Sequence, residues 1–129
     1  LEHMVFKGTE SYDGKAISDT VQAAGGEWNA YTTFDRTVYY IDGPAESAET
    51  FLKVLTEMVF TPSFPVAEFE KEKDVIRREI DMGLDDPDDQ NGRLLYTTAF
   101  AHDARRQPVI GHLELFNQLT HEDMVNYHR

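Results

Sequence analysis

Apolar and polar positions follow two different periods in the first third of the chain. Residues 13–26 place apolar side chains at helical spacing and end on two glycines, which predicts a short amphipathic helix with a glycine cap. Residues 29–41 are rich in Thr, Tyr, Val and Phe and carry the polar pair Asp35-Arg36 in the middle. They predict a strand pair joined by a tight turn, or else one long bent strand.

The middle of the chain is predicted to be mainly helical. Residues 44–61 begin with Pro44 at a favourable first helical position and carry one apolar stripe, and residues 66–83 predict a second, longer helix. The acidic stretch 85–92 predicts a solvated loop that breaks the chain. Helical spacing resumes in residues 93–100.

The last segment completes a pattern that defines the fold class. Residues 107–129 predict a small helix or turn and then a final helix. We expect Thr120 to cap that helix, with Asp123 three residues on as its partner in a capping box. Helices interleaved with a strand pair, without strict strand-helix alternation, predict an α+β fold with helices packed on an antiparallel sheet. We therefore expect residues 1–129 to form a single domain, or part of one.

Composition excludes several classes of function. The formal net charge of −12 disfavours nucleic acids and anionic membrane surfaces as partners, because binding either relies on clustered Lys and Arg. The chain has no Cys, so any metal must be bound by His and carboxylates. No apolar run is long enough to span a bilayer. The compartment stays open, because such a chain suits the cytosol, an organelle matrix or a periplasm equally well.

Two acids of the long predicted helix fall on its apolar face. Counted at 100° per residue from Phe69, Glu72 and Glu79 share the side that carries Ile76 and Ile80. Burying an unpaired carboxylate is costly. Three interpretations stay open: a Lys or Arg pairs with these acids, they lie at the edge of the stripe in solvent, or one binds a metal while the other supports it.

The first residues of the chain raise a separate question, because Glu2-His3 is either half of a metal-binding motif or a remnant of cloning. The block "EHMVFKGT" is followed in order by "GGEWNAYTTFDRTVYY", "EKDVIRREI" and "PVIG". A cloning remnant gives no reason for this ordered set. Together the blocks resemble the N-terminal catalytic portion of the insulinase, pitrilysin and mitochondrial processing peptidase family of zinc peptidases, whose helical motif is H-x-x-E-H.

The resemblance implies that six residues build the site of a zinc metalloendopeptidase. They are the general base Glu2, the Zn²⁺ ligands His3 and Glu79, the supporting acid Glu72, and Asn29 and Ala30 along an extended peptide substrate. A catalytic zinc takes three protein ligands and a water molecule, whose pKa it lowers and whose proton a nearby carboxylate can accept.

The resemblance also predicts what this chain lacks. The first His of the motif would stand two positions before Leu1, so we expect two of three zinc ligands here and an inactive fragment. The expected partners are a peptide or protein substrate and the missing C-terminal half or a homologous subunit. The alternative is a non-catalytic family subunit, or an inactive fragment, that serves only in binding or assembly. Retention of the motif residues counts against that alternative.

Two weaker signals carry no site. The acidic stretch does not fit a calcium-binding EF-hand, because Pro87 and Thr98 would occupy positions that need acids. Four further histidines lack ligand spacing, which predicts surface or structural roles. They are His102, His112, His121 and His128.

Overall fold

A computed structural model of the protein describes residues 1–129 and confirms the predicted α+β class. The backbone divides into two compact units, Leu1–Glu70 with His128 and Lys71–Tyr127 with Arg129. The single-domain organisation expected from the sequence stays a prediction. The helices and strands in chain order are α1 Glu2–Val5, α2 Gly14–Ala23, β1 Glu27–Thr32, β2 Thr37–Asp42, α3 Ala48–Phe60, α4 Val66–Asp85, α5 Pro87–Ala99, α6 Leu113–Gln118 and α7 His121–His128.

The two strands form an antiparallel hairpin, so the strand-pair prediction is confirmed over the bent-strand alternative. Thr32 lies opposite Thr37, and the turn closes where the Thr33 N–H donates to the Arg36 carbonyl oxygen at 2.8 Å. The Thr33 hydroxyl also donates to the Asp35 carboxylate at 2.7 Å. A polar pair in the middle of a β-rich segment therefore marks a turn, as side chains of this type favour.

Helix α2 lies within the predicted residues 13–26. Asp13 caps it by accepting a hydrogen bond from the Ala16 N–H at 2.7 Å. The chain leaves the helix through Gly25, whose φ of +76° is open to glycine and strained for other residues. Ile17 and Val21 are fully buried on one face, and α2 packs against β1.

Helix α3 supplies most of the remaining core of the first unit. Residues 45–47 form a single 3₁₀ turn, and the α-helix proper begins at Ala48. Phe51, Val54 and Met58 are buried, and α3 packs against α2 and β2. The glycine at position 43 is needed here, since a Cβ on it would lie 2.5 Å from the Phe51 ring.

The second unit shows one error of the sequence interpretation. The acidic stretch 85–92 is not a loop, because α5 begins at Pro87 inside it. Asp86 accepts hydrogen bonds from the Asp88 and Asp89 N–H groups, at 2.8 and 3.3 Å, and proline at the first helical position has no N–H to satisfy. Two further acids in the first turn favour the helix through its dipole.

The last helix, α7, begins as predicted. The Thr120 hydroxyl accepts from the Asp123 N–H at 3.1 Å, and the Asp123 carboxylate accepts from the Thr120 N–H at 2.9 Å. This reciprocal capping box confirms the prediction made from the spacing of the two residues. None of the helices combines the length and the apolar character that crossing a bilayer requires.

Candidate functional site

The first candidate residue, Glu2, lies on the short helix α1 and is bound to the hairpin. The Thr32 hydroxyl at the end of β1 donates a hydrogen bond to Glu2 Oε2. Thr32 Oγ1 lies 3.1 Å from Thr37 Oγ1 on the paired strand. The carboxylate predicted to act as a general base is therefore attached to the strand predicted to bind substrate.

Apolar packing fixes α1 in this place. Met4 and Val5 are buried, which anchors the side of the helix that faces the core. Phe6 follows directly and packs edge-to-face on Trp28, with ring centroids 4.8 Å apart, and on Tyr39 at 5.7 Å. These tertiary contacts hold α1 against the hairpin.

Tyr39 reports the electrostatics around Glu2. Burial raises the pKa of the Tyr39 phenol to about 12, and the negative charge of Glu2 raises this pKa further in the same direction. Tyr39 lies opposite Ala30 in the hairpin register. The Glu2 charge is therefore felt at the middle of the hairpin, next to the candidate substrate segment.

Asn29 and Ala30 lie on a strand with one unpaired edge. β1 pairs only with β2, and the Thr33 N–H faces β2, so alternation along the strand turns the Ala30 N–H to the other edge. There it donates to the side-chain Oδ1 of Asn29 at 2.8 Å. An incoming peptide strand that used this donor would have to displace the Asn29 side chain.

The other candidate ligands lie apart in the chain. His3 is half-buried on α1 in the first unit, and Glu72 and Glu79 belong to α4 in the second. Glu72 is 8% exposed, whereas Glu79 is exposed, so the predicted shared apolar face holds for Glu72 only. Ile80, which the helical count places on the same face, is buried, so Glu79 lies at the edge of the buried stripe.

These residues fit a zinc site in kind and not in number. An imidazole and carboxylates are donors that zinc accepts, but a catalytic zinc needs three protein ligands. The structure contains no group of three or more His, Asp or Glu side chains that could hold a metal ion. That this chain supplies two of the three ligands stays a prediction.

Two of the remaining histidines have structural partners. His128 Nε2 lies 2.7 Å from the Val59 carbonyl oxygen, and its ring packs edge-to-face on Phe64 at 5.1 Å. His112 Nε2 lies 2.7 Å from Gln107 Oε1. These contacts agree with the structural role expected from their spacing.

Comparison with known proteins decides the family. The family model described as "Insulinase (Peptidase family M16)" matches residues 1–113 of this chain. The chain belongs to the insulinase family of peptidases. The resemblance seen in the sequence blocks is thereby confirmed, and the family carries the name of a peptidase.

Individual M16 relatives differ in what their names say. The uncharacterized zinc protease YmxG of Bacillus subtilis is 34% identical over 127 residues, covering 98% of this chain and 31% of that protein. Subunit 1 of the human mitochondrial cytochrome b-c1 complex is 33% identical over 127 residues, covering 98% of this chain and 26% of that protein. A crystal structure of a protease from Helicobacter pylori matches with a TM-score of 0.92 and 25% identity, over 99% of this chain and 31% of that one.

The M16 chain described here spans 31% or less of the length of those three proteins. The family match extends over Glu2, His3, Glu72 and Glu79. The role of each residue stays a prediction, and the activity of a longer parent protein belongs to the proposal below.

Sequence reasoning missed two residues of this site. Thr32 donates a hydrogen bond to Glu2, and the charge of Glu2 raises the pKa of Tyr39. Thr32 had a usable signal, because it stands two positions after Ala30 and so shares its face of the strand. The position of Tyr39 opposite Ala30 could be assigned only from the register of β2.

Proposed function

We propose that the parent protein of this chain is a zinc metalloendopeptidase that hydrolyses extended peptides, with Glu2 as the general base. The observation that carries the proposal is the attachment of the Glu2 carboxylate to Thr32, two residues along β1 from Ala30, within a chain of the M16 family. Base and substrate strand are thus held together inside one unit of the fold.

Glu2 would carry the proton through the reaction. Its carboxylate accepts a proton from the attacking water, whose oxygen bonds to the carbonyl carbon of the scissile peptide. The carbon–nitrogen bond then breaks, and the same proton passes from Glu2 to the leaving amine. One oxygen of the carboxylate accepts from Thr32, so the other is available to the water.

Asn29 and Ala30 would align the peptide. An extended substrate adds to the unpaired edge of β1, where main-chain hydrogen bonds give affinity without reading side chains. The Ala30 N–H becomes available to a substrate carbonyl when the Asn29 side chain turns away from it. The freed Asn29 amide can then bind the substrate backbone in turn.

The zinc ligands in this proposal are His3, Glu79 and a histidine two positions before Leu1. Zinc, when bound, lowers the pKa of water and polarises the scissile carbonyl. Glu72 supports the site from behind, as carboxylates that orient metal ligands commonly do. Its burial agrees with a fixed supporting side chain, since a buried acid needs hydrogen-bonding partners.

The test uses the full-length parent protein. Metal analysis should find about one zinc per chain. Glu2→Gln should lower kcat by about 10²- to 10⁴-fold, because the side-chain amide of glutamine cannot accept the proton of the attacking water. Glu27→Gln, the same chemical change at an exposed position on β1, is the matched control and should keep full activity. Absence of zinc, or an active Glu2→Gln enzyme, contradicts the proposal.

A second candidate is a non-catalytic subunit that binds or assembles with a partner. The relative that favours it is named as a subunit of the cytochrome b-c1 complex. The residue two positions before Leu1 distinguishes the two functions: a His supports the peptidase, and any other residue supports the subunit.

We also expect the 129-residue chain by itself to be inactive, since it holds two of the three ligands. Peptidase assays of this chain beside the full-length protein test that expectation. Cleavage by the isolated chain at the full-length rate would show that the missing ligand is not required.

A further inference from the structure

The hydroxyl of Thr32 is a hydrogen-bond partner of the Glu2 side chain. It donates to Glu2 Oε2, and it lies 3.1 Å from Thr37 Oγ1 on the neighbouring strand. We propose that Thr32 is a positioning residue that holds the Glu2 carboxylate in its working orientation against β1. This inference rests on the proposed function, because it gives Thr32 a role only if Glu2 acts as the base.

The two threonines form a hydrogen-bond chain with a defined direction. An ionised carboxylate only accepts hydrogen bonds, so the single Thr32 hydroxyl proton must point at Glu2. Thr32 Oγ1 can therefore only accept from Thr37, and Thr37 must donate. The order Thr37 to Thr32 to Glu2 fixes the hydroxyl that would otherwise rotate freely.

The hairpin gives the Glu2 carboxylate a well-fixed partner. Thr32 lies in the β1 ladder opposite Thr37, and its β-branched side chain has few allowed rotamers. The orientation of the carboxylate is thus imposed by the hairpin.

The contact also sets the distance between base and substrate strand. Thr32 and Ala30 are two residues apart on β1, so their side chains lie on one face of the strand. A peptide paired at Ala30 would meet a carboxylate fixed on the same strand. A small misplacement of a reacting group lowers the rate of the chemical step more than it lowers the affinity for substrate.

The test compares Thr32→Val, which keeps the shape and removes the hydroxyl, with Thr32→Ser, which keeps the hydroxyl. In the full-length enzyme, Thr32→Val should lower kcat about tenfold or more, as expected when a hydrogen bond to a charged group is lost. KM and zinc content should not change. Thr32→Ser should restore kcat to within about threefold of the original. Thr56→Val, an exposed threonine on α3, is the control and should have no effect.

A double variant separates positioning from a structural role. If Thr32 acts through Glu2, adding Thr32→Val to Glu2→Gln should not lower the residual rate further, since residues that act as one unit are not additive. Thr37→Val should lower kcat by less than Thr32→Val does, and it replaces that variant if Thr32→Val fails to fold.

The outcomes distinguish this inference from the proposed function. A fully active Glu2→Gln enzyme contradicts the proposed function itself. An inactive Glu2→Gln enzyme together with unchanged kcat in Thr32→Val and Thr37→Val overturns the inference alone. Failure of Thr32→Ser to recover kcat, or a further loss in the double variant, likewise shows that Thr32 acts by packing and not by holding Glu2.

Discussion

The two units of this chain bury apolar side chains to very different extents. The first unit encloses a core drawn from α1, α2 and α3, whereas between Lys71 and Tyr127 Ile80 is the only buried hydrophobic residue. Helices α5, α6 and α7 bury no residue at all, and Leu94 and Leu95 on α5 are about two-thirds exposed, at 66% and 64%. The fold of the first unit is therefore explained by its own contacts to a greater degree than that of the second.

This difference separates the candidate residues into two groups. Glu2, Asn29 and Ala30 are held by hydrogen bonds and packing inside the first unit. Glu79 stands exposed on α4, in a unit with little core of its own. We expect Glu2 and strand β1 to keep their arrangement in any version of the protein, and the setting of Glu79 to depend on the remainder of a longer parent.

A matched pair of methionines gives the largest expected effect on stability. Met58 on α3 is fully buried, and Met82 on α4 is 71% exposed. Met58→Ala should lower the free energy of unfolding of this chain by about 2–5 kcal/mol, because it leaves a cavity. Met82→Ala should change it by no more than about 0.5 kcal/mol, since the side chain contacts mainly water. Urea unfolding measures the free-energy change of both variants. Replacing Met with Ala alters helix propensity by a similar amount at the two sites.

Equal losses of stability in the two variants would contradict the difference in burial, because they would mean that Met82 is covered in solution. The same two variants can be measured in the full-length protein. There a larger cost for Met82→Ala than in this chain would show that the remainder of the parent packs on α4.

The next expected effect is the alkaline titration of Tyr39 in the first unit. Its pKa is raised from 10.0 to about 12, first by burial and then by the charge of Glu2. A raised folded-state pKa means that the neutral phenol is favoured, so its contribution to stability is complete below pH 10 and is lost as the pH rises toward 12. Ultraviolet titration should show a tyrosine that ionises late, as the pH approaches 12.

Variants assign that late step. Tyr39→Phe should remove it, and Glu2→Gln should move it to lower pH because the repelling carboxylate is gone. A late step that survives in Tyr39→Phe belongs to another tyrosine and contradicts the assignment.

Local sequence signals predicted two helix ends that depend on neighbours in the chain. The glycine exit of α2 and the Thr120–Asp123 capping box are each read within four residues, and both were predicted. The loop predicted for residues 85–92 was wrong because Pro87 and its acidic neighbours were interpreted as a break in the chain. The same residues favour the first turn of a helix once Asp86 caps it.

The site was less accessible to sequence reasoning for a physical reason. Helical counting placed Glu72 and Glu79 on one apolar face, which holds for Glu72 only, because the count does not show where a buried stripe ends. The Thr32 contact joins residues thirty positions apart and requires the hairpin register. The ligand roles of His3 and Glu79 came from family resemblance and stay predictions.

The smallest expected effect is the acid titration of Asp103 in the second unit, which contrasts with Tyr39 because the side chain is exposed. Hydrogen bonds from the Arg105 side chain and N–H hold the pKa of Asp103 near 2, below its ordinary 3.8. A depressed folded-state pKa stabilises the turn above pH 3.8, and this contribution is lost as the pH falls toward 2.

The variant Arg105→Gln should return the pKa of Asp103 toward 3.8, and carboxyl NMR titration measures this change. Arg106→Gln is the control, since Arg106 donates instead to the Ala101 carbonyl oxygen. Added salt should also raise this pKa, because exposed charges are screened, while leaving the burial-driven shift of Tyr39 largely in place. Equal salt sensitivity of the two groups would contradict the difference in burial between the two units.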